Sequence, residues 1–451
     1  VVAGLLLVAL GTSSRRLTGD GQEYLLMAER LATGHAPTVS IEAAQQAGVY
    51  DAKLVSRHGR QEMWHFWFFP LMVAPFLAIT RAVGGPPVLA FGIVNAILLG
   101  VGIRIVFRRA GLLAALLLGL SPIVWWVDKP QVEVFTFVWL LLGCALLPSF
   151  AWAALCFAIA ATQNPPIGGL VVLVAGIAAW QRRARMGALW PWGLAVAILG
   201  LHPAYYWYQL GRLTPLVESH DLRLPAWRTL LTPLLDLNLG LLVNAPLLLL
   251  VIGGALVLAC GRREDRGRAG FVLAASGLFL VAFTQAPNVN SGGTPGMTRY
   301  ALWLLPPAVL ILARLPRQGW RGALAGGLTA ASVVWSLWWF RPTLPERYLE
   351  PTRVALYVWS NYPAVENPLP EIFAERLRHQ DGVNTLASTP NCAKALIQSG
   401  VWPDPCEPVG TLPPDCRAKE ALCYGNRRPD GSYAFVPTSR RGGINLWELW
   451  H

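Results

Sequence analysis

Charge is what this sequence has least of. Its 451 residues include 37 Lys and Arg and 25 Asp and Glu, or 14%, against roughly 25% in an ordinary soluble domain. Hydrophobic residues make up 54%, Trp alone accounts for 20, and mean hydropathy is +0.44. A soluble globular chain of this length has no interior large enough for that much apolar surface, and intrinsic disorder is excluded for the same reason. Position 1 is Val, and the first apolar run stops at Leu10. So short a run cannot cross about 30 Å of hydrocarbon at about 1.5 Å per residue. It reads as the end of a membrane helix. A cleaved signal peptide is the alternative, but no small-residue cleavage site follows Leu10. What remains is an all-helical polytopic membrane protein.

Apolar stretches fall near 66–81, 86–107, 110–127, 131–147, 150–162, 166–180, 190–207, 238–260, 269–286, 300–314 and 322–340. Alternate short connections between them are basic. One set carries Arg104, Arg108 and Arg109; Arg182, Arg183 and Arg185; Arg262, Arg263, Arg266 and Arg268; and Arg314, Arg317 and Arg321. The other carries only Lys129, Arg212, Arg223, Arg228 and Arg299. The positive-inside rule places the first set in the cytoplasm and the second set, with the C-terminal tail, outside. The net charge of +12 is therefore an orientation signal and not a sign of a nucleic-acid partner. If residues 66–81 crossed, every later segment would flip. Their Pro70 and Pro75, with the Trp and Phe around them, suit a segment lying along the outer interface. That leaves about eleven crossings.

Cysteine bears on the same question. Cys144, Cys156 and Cys260 sit in apolar stretches and read as small buried hydrophobes. Cys392, Cys406, Cys416 and Cys423 all lie in the polar, Pro-rich tail. Four cysteines so placed suggest two disulfides and an oxidising compartment, with three pairings open. Zinc is the alternative, but there is no Cys-x-x-Cys and the nearby histidine is only His379. The expected organisation is a membrane domain over 1–340, whose outer loop 11–85 holds an acidic motif and the interfacial segment, and an extracytoplasmic domain over 341–451. Glu371 to Leu377 reads as a short helix in that tail.

Polar groups beside membrane segments are functional candidates. The first outer loop contains Gly19-Asp20-Gly21-Gln22-Glu23-Tyr24. Asp20 stands where an N-cap is expected and Glu23 follows three residues later, so a plain acidic helix start explains both. The second outer motif, Asp128-Lys129-Pro130-Gln131-Val132-Glu133, offers an ion pair and an acid just inside an apolar helix. The third, Asn288 to Tyr300, is Gly-rich and ends in Arg299-Tyr300. Arg299 either snorkels to lipid phosphate or binds a substrate phosphate. His65 and His202 have the same two readings. Asn164-Pro165-Pro166 and Asn244-Ala245-Pro246 are expected to break helices.

Taken in order, GDGQEYLLMAERL, HFWFFPLMVAP, the Arg-Arg-Ala-Gly-Leu-Leu hairpin, DKPQVE and NSGGTPGMTRY resemble the GT-C class of integral-membrane glycosyltransferases. The nearer relatives are the protein O-mannosyltransferases and the lipid A aminoarabinose transferases. The resemblance spans roughly residues 1–340 and departs in two places: Gly21 follows Asp20 where the mannosyltransferases have adjacent acids, and their His-Pro-Pro motif is matched only by His65 with Pro70 at a distance.

It implies an enzyme that moves a sugar, with inversion, from a polyprenyl-phosphate donor to a glycan, lipid or protein acceptor at the outer face. Asp20, with Glu23 as a second candidate, takes the base role. The second-loop carboxylate is Asp128 or Glu133. Arg299 neutralises the leaving phosphate, and Lys129, His65 and His202 are further binding candidates. The nearer relatives require no metal, although Asp20 with Glu133 offers a divalent ion a place. The alternatives are a transporter or flippase for lipid-linked sugars and a non-catalytic membrane scaffold. No inverted repeat marks the former, and the acids lie in outer loops and not at helix centres.

Overall fold

Long apolar runs become helices wherever proline allows. The structure, a computed structural model, describes residues 4, 11, 20–181, 189–216, 223–225, 227–286, 288–290, 294–316, 318–382, 386–406, 411–438 and 443–445. The first run to Leu10, Arg182, Arg183, Arg185 and Arg317, the 291–293 part of the late loop and the side chains of Arg223 and Arg228 lie outside the described residues. The chain is mostly helical and divides into two units. One comprises 1–218, 247–279 and 302–344; the other comprises 219–246, 280–301 and 345–451.

Two helices among the described residues, Val88–Ala110 and Arg266–Thr284, are long and apolar enough to cross a membrane. Val88–Ala110 has 23 residues, about 35 Å at the helical rise. Its last turn holds Arg108 and Arg109, which complement the carbonyl end of the helix dipole. Gly111, at φ 91°, then reverses the chain into Leu112–Gly119, a turn that side-chain-bearing residues rarely adopt. Shorter apolar helices include Phe68–Ala82, Glu133–Ala145, Phe150–Ala161 and Pro246–Gly261.

Three expected stretches are interrupted. Residues 110–127 break at Ser121-Pro122 into Leu112–Gly119 and a 3-10 turn, Pro122–Trp126. Residues 238–260 break before Pro246, and 300–314 become the 3-10 turns Arg299–Leu304 and Pro306–Ala308 followed by Val309–Leu312. Each break sits at a proline that has no N–H to continue the ladder. Asn164 likewise ends a helix and precedes the Pro165–Ile167 turn.

Phe68–Ala82 is a 15-residue helix with Pro75 inside it. It packs on Gly21–Ala32 through Tyr24, Met27, Phe69, Val73 and Leu77, with Phe91, Val94 and Phe135 beneath. The Arg81–Glu29 ion pair joins the same two helices. The segment from Asp20 to Trp67 is thus a folded part of the helical unit, built on an apolar face.

The second unit holds a two-stranded antiparallel pair of β1, Arg223–Pro225, with β6, Gly443–Asn445, and a four-stranded antiparallel sheet in the order β2-β3-β4-β5, formed by Ala387–Ser388, Lys394–Gln398, Leu422–Arg427 and Tyr433–Thr438. Leu396 sits opposite Tyr424 in the β3–β4 register. Beneath it Trp359 packs on Phe373 at 4.9 Å, and Phe373 on Tyr424 at 5.4 Å. The short tail helix is Pro370–Arg378. Of the three possible cystine pairings, the structure has Cys392–Cys406 and Cys416–Cys423. Cys144 and Cys156 are buried, whereas Cys260, in the last turn of Pro246–Gly261, is exposed.

Residues 280–301 join the tail unit because Arg376 holds them there. Its guanidinium is fully buried and donates to Asn290 Oδ1 at 2.9 Å, Glu350 O at 3.1 Å and Gly296 O at 2.9 Å. Asn290 in turn donates to Glu375 at 2.7 Å. Replacing Arg376 with Ala strands those acceptors in a dry interior. The expected cost is about 3–5 kcal/mol, read as a lower unfolding midpoint of the tail unit by denaturant-monitored Trp fluorescence; an unchanged midpoint contradicts this assignment.

Candidate active site

Asp20 lies immediately before the Gly21–Ala32 helix, yet its side chain makes no capping hydrogen bond. It turns instead to His65, with Oδ2 at 3.1 Å from Nε2. Glu23, one turn on, places Oε2 at 3.0 Å from His65 Nδ1 and 3.3 Å from the His65 backbone N–H. Two acids from the first motif therefore clasp one imidazole from the second quoted segment, 42 residues further along. Ionised carboxylates only accept hydrogen bonds. With a carboxylate on each ring nitrogen, the ring that satisfies both is the doubly protonated imidazolium. Burial alone pushes the His65 pKa down, but the charges and hydrogen bonds of Asp20 and Glu23 outweigh it and hold the group at about 10. The cluster is not sealed: the His65 side chain is 25% accessible and Asp20 29%.

The DKPQVE segment comes against the GDGQEY segment at Gly21. A Cβ on Gly21 would lie 2.7 Å from Pro130 Cγ and 3.7 Å from Gln131 Nε2. That contact gives a steric reason for glycine where the resemblance has a second acid. Glu133 is the first residue of the Glu133–Ala145 helix and is buried. A carboxylate there is favoured by the helix N-terminus.

Asp128 and Lys129 pair with each other. Lys129 Nζ donates to Asp128 Oδ1 at 2.8 Å, Trp125 O at 2.7 Å and Pro342 O at 3.2 Å. It also lies 3.8 Å from the Trp125 ring centroid. Both side chains are nearly inaccessible. The Lys129 carbonyl accepts from Asn95 Nδ2 at 2.9 Å, which ties the motif to the Val88–Ala110 helix. This pair is an internal fastening of the second outer motif.

His202, on Trp190–Leu210, is buried among aromatic rings: Trp67 at 4.9 Å, Phe66 at 5.0 Å and Tyr206 at 6.1 Å. Arg299 belongs to the other unit, where it opens the Arg299–Leu304 turn with its guanidinium 5.5 Å from the Tyr300 ring. Asp20, Glu23 and His65 are thus brought into direct contact, while Gly21 brings Pro130 of the DKPQVE segment alongside.

Sequence reasoning passed over three residues. Glu62 is buried, and both of its oxygens accept from the Tyr205 hydroxyl, at 3.2 and 3.1 Å. Burial raises its pKa to about 7, against the opposing effects of the Tyr205 bond and the Arg60 charge. Tyr206, next on the same helix, donates to His65 O at 3.3 Å. The available signal was Gln61-Glu62-Met63-Trp64-His65, an acid three residues before a histidine at a polar-to-apolar border.

Among the described residues, no group of three or more His, Cys, Asp or Glu is arranged to hold a metal ion. No known protein family, curated protein or solved structure matches this chain.

The elevated His65 pKa has a definite sign in linkage. A histidine raised on folding contributes fully below its ordinary value of about 6.5 and loses that contribution as pH climbs through the folded value. His65 is therefore expected to titrate near 10 by NMR of ring-labelled histidine, and lower in Asp20→Asn or Glu23→Gln. A His65 resonance titrating at its ordinary value in the wild type contradicts the clasp. Gly21→Ala is expected to destabilise the helical unit by about 1–3 kcal/mol, the range for overpacking a tight contact. The check is a lowered thermal midpoint.

Proposed function

We propose that this chain is a membrane glycosyltransferase that moves a sugar from a polyprenyl-phosphate carrier to a glycan, lipid or protein acceptor at the extracytoplasmic face. The observation that carries the reading is the Asp20–His65–Glu23 cluster. The acid motif in the first outer loop is not spent on capping its own helix, and it stays partly accessible. In this reading the long helices and the broken ones together make about eleven crossings. Phe68–Ala82 lies along the outer interface, and the disulfide-bonded tail is extracytoplasmic.

The chemistry follows from the residue types. The acceptor hydroxyl or amine attacks the anomeric carbon as the bond from that carbon to the carrier phosphate oxygen breaks. Asp20 takes the acceptor proton, because a positioned carboxylate base lowers the barrier of such a step. The sugar leaves with inverted configuration, and the carrier departs as polyprenyl phosphate. His65 holds Asp20 and Glu23 in place, so it is a positioning residue here. Glu133 is the second-loop acid in this scheme, since Asp128 is engaged with Lys129. Arg299 is proposed for the leaving phosphate on the resemblance alone. The step needs no metal in this reading.

The experiment is transfer from a radiolabelled polyprenyl-phosphate sugar by the purified protein in lipid. Asp20→Asn keeps the volume and removes the base. It is expected to lower the rate by about 10²–10⁴, the usual contribution of a general base, with the His65 positioning variant His65→Gln falling between it and the wild type. Undiminished transfer by Asp20→Asn sinks the assignment. No transfer by the wild type with any polyprenyl-phosphate sugar favours the transporter or the scaffold.

A further inference from the structure

We propose that the helical unit carries a second lipid site, for one anionic phospholipid, at its arginine-rich end. A cavity of about 510 Å³ lies there, lined by Phe107, Gly111, Leu112, Leu315, Gly322 and Gly326 among others. No lining residue has a polar side chain. Each wall adjoins an arginine: Arg108 and Arg109 on the first, Arg314 on the second and Arg321 on the third. Arg314 is already paired, its Nε 3.1 Å from Asp265 Oδ1. Arg108, Arg109 and Arg321 are exposed, and among the described residues none of them pairs with a carboxylate.

An orientation signal requires arginines in this loop set but no trough between them. Together the two features match an amphiphile whose acyl chain enters an apolar groove and whose phosphate meets guanidinium forks at the rim. A free phosphate would use only the rim and would leave the trough unexplained.

The site is separate from the acid cluster. Asn95 bonds to the second outer motif near one end of Val88–Ala110, whereas Phe107 and Ala110 face the trough near the other. At about 1.5 Å per residue those positions are roughly 20 Å apart. The trough is open at Gly326, where an added Cβ meets no atom within 4 Å. A larger side chain there fills lipid space without striking protein.

The test is native mass spectrometry of the full chain released from micelles. The probes are phosphatidylglycerol and phosphatidylcholine with identical acyl chains. One phosphatidylglycerol is expected to be retained in preference to phosphatidylcholine. Gly326→Leu and Gly326→Trp, which fill the trough to different extents, are expected to displace both lipids. Arg108→Gln, Arg109→Gln and Arg321→Gln are each expected to weaken phosphatidylglycerol by about fivefold, the worth of one arginine near an anionic headgroup, and phosphatidylcholine, whose phosphate charge is offset by its choline cation, by less. Arg341→Gln, at the far end of Gly319–Trp339, is expected to change neither.

Equal retention of the two lipids overturns the proposal. So does an equal loss in Arg341→Gln, or retention untouched by both Gly326 variants. A thermal transition without added lipid confirms that each variant is folded. The readout does not involve sugar transfer, so this proposal and the enzymatic one fail separately.

Discussion

One contact orders the start of the helical unit, the imidazolium of His65 held between Asp20 and Glu23. A charged ring accessible over a quarter of its surface is stable there because a carboxylate meets each nitrogen. The contact also fixes the chain path. It joins the start of Gly21–Ala32 to the entry of Phe68–Ala82, and the apolar faces of these two helices close beneath it. Gly21 then lets Pro130 approach, so the DKPQVE segment can lie against the GDGQEY segment. Remove the clasp and only apolar packing and the Arg81–Glu29 pair hold these two helices together.

Much of this was legible in the sequence because hydrophobic runs and prolines act locally. The Val88–Ala110 helix, the breaks at Asn164 and Asn244 and the Pro370–Arg378 helix all follow from patterns a few residues long. The interruptions at Ser121 and Pro306 were underread, since an apolar stretch with a proline scores as one span by composition but not by hydrogen bonding. The candidate site was legible as residue types and not as contacts. Asp20 and Glu23 equally suit the capping of a helix, and only the placement of His65 shows that their side chains turn to its ring instead. Asp128 and Lys129 resolve as partners of each other. Glu62 escaped because its partner, Tyr205, is 143 residues away, a separation at which no spacing rule operates.

The second unit shows the same limit from the other side. Four cysteines foretold two bridges but not their pairing, which depends on how β3, β4 and the loops around them fold. The division at residue 340 follows the change in composition, whereas the compact unit also takes in 219–246 and 280–301. Buried polar groups are the reason: the Leu237 N–H donates to Glu366, the Thr352 N–H to Asn238 Oδ1 and the Thr352 hydroxyl to Leu237 O. Arg376 needs acceptors from Asn290, Gly296 and Glu350, and Lys394 needs Pro363, Asn367 and Asn426. A cation that is taken out of water must collect oxygens from wherever the chain can bring them. Such groups bind distant segments together without leaving a trace in hydropathy.

The proposed transfer places a sugar at the Asp20 carboxylate, and the most direct measurement is a cryo-EM structure with a non-transferable polyprenyl-phosphate sugar bound. Sugar density is expected with the anomeric carbon facing Asp20, close enough for an acceptor hydroxyl to bridge the two, while His65 remains between Asp20 and Glu23. Sugar density elsewhere, with the Asp20–His65–Glu23 cluster facing only solvent, would contradict it.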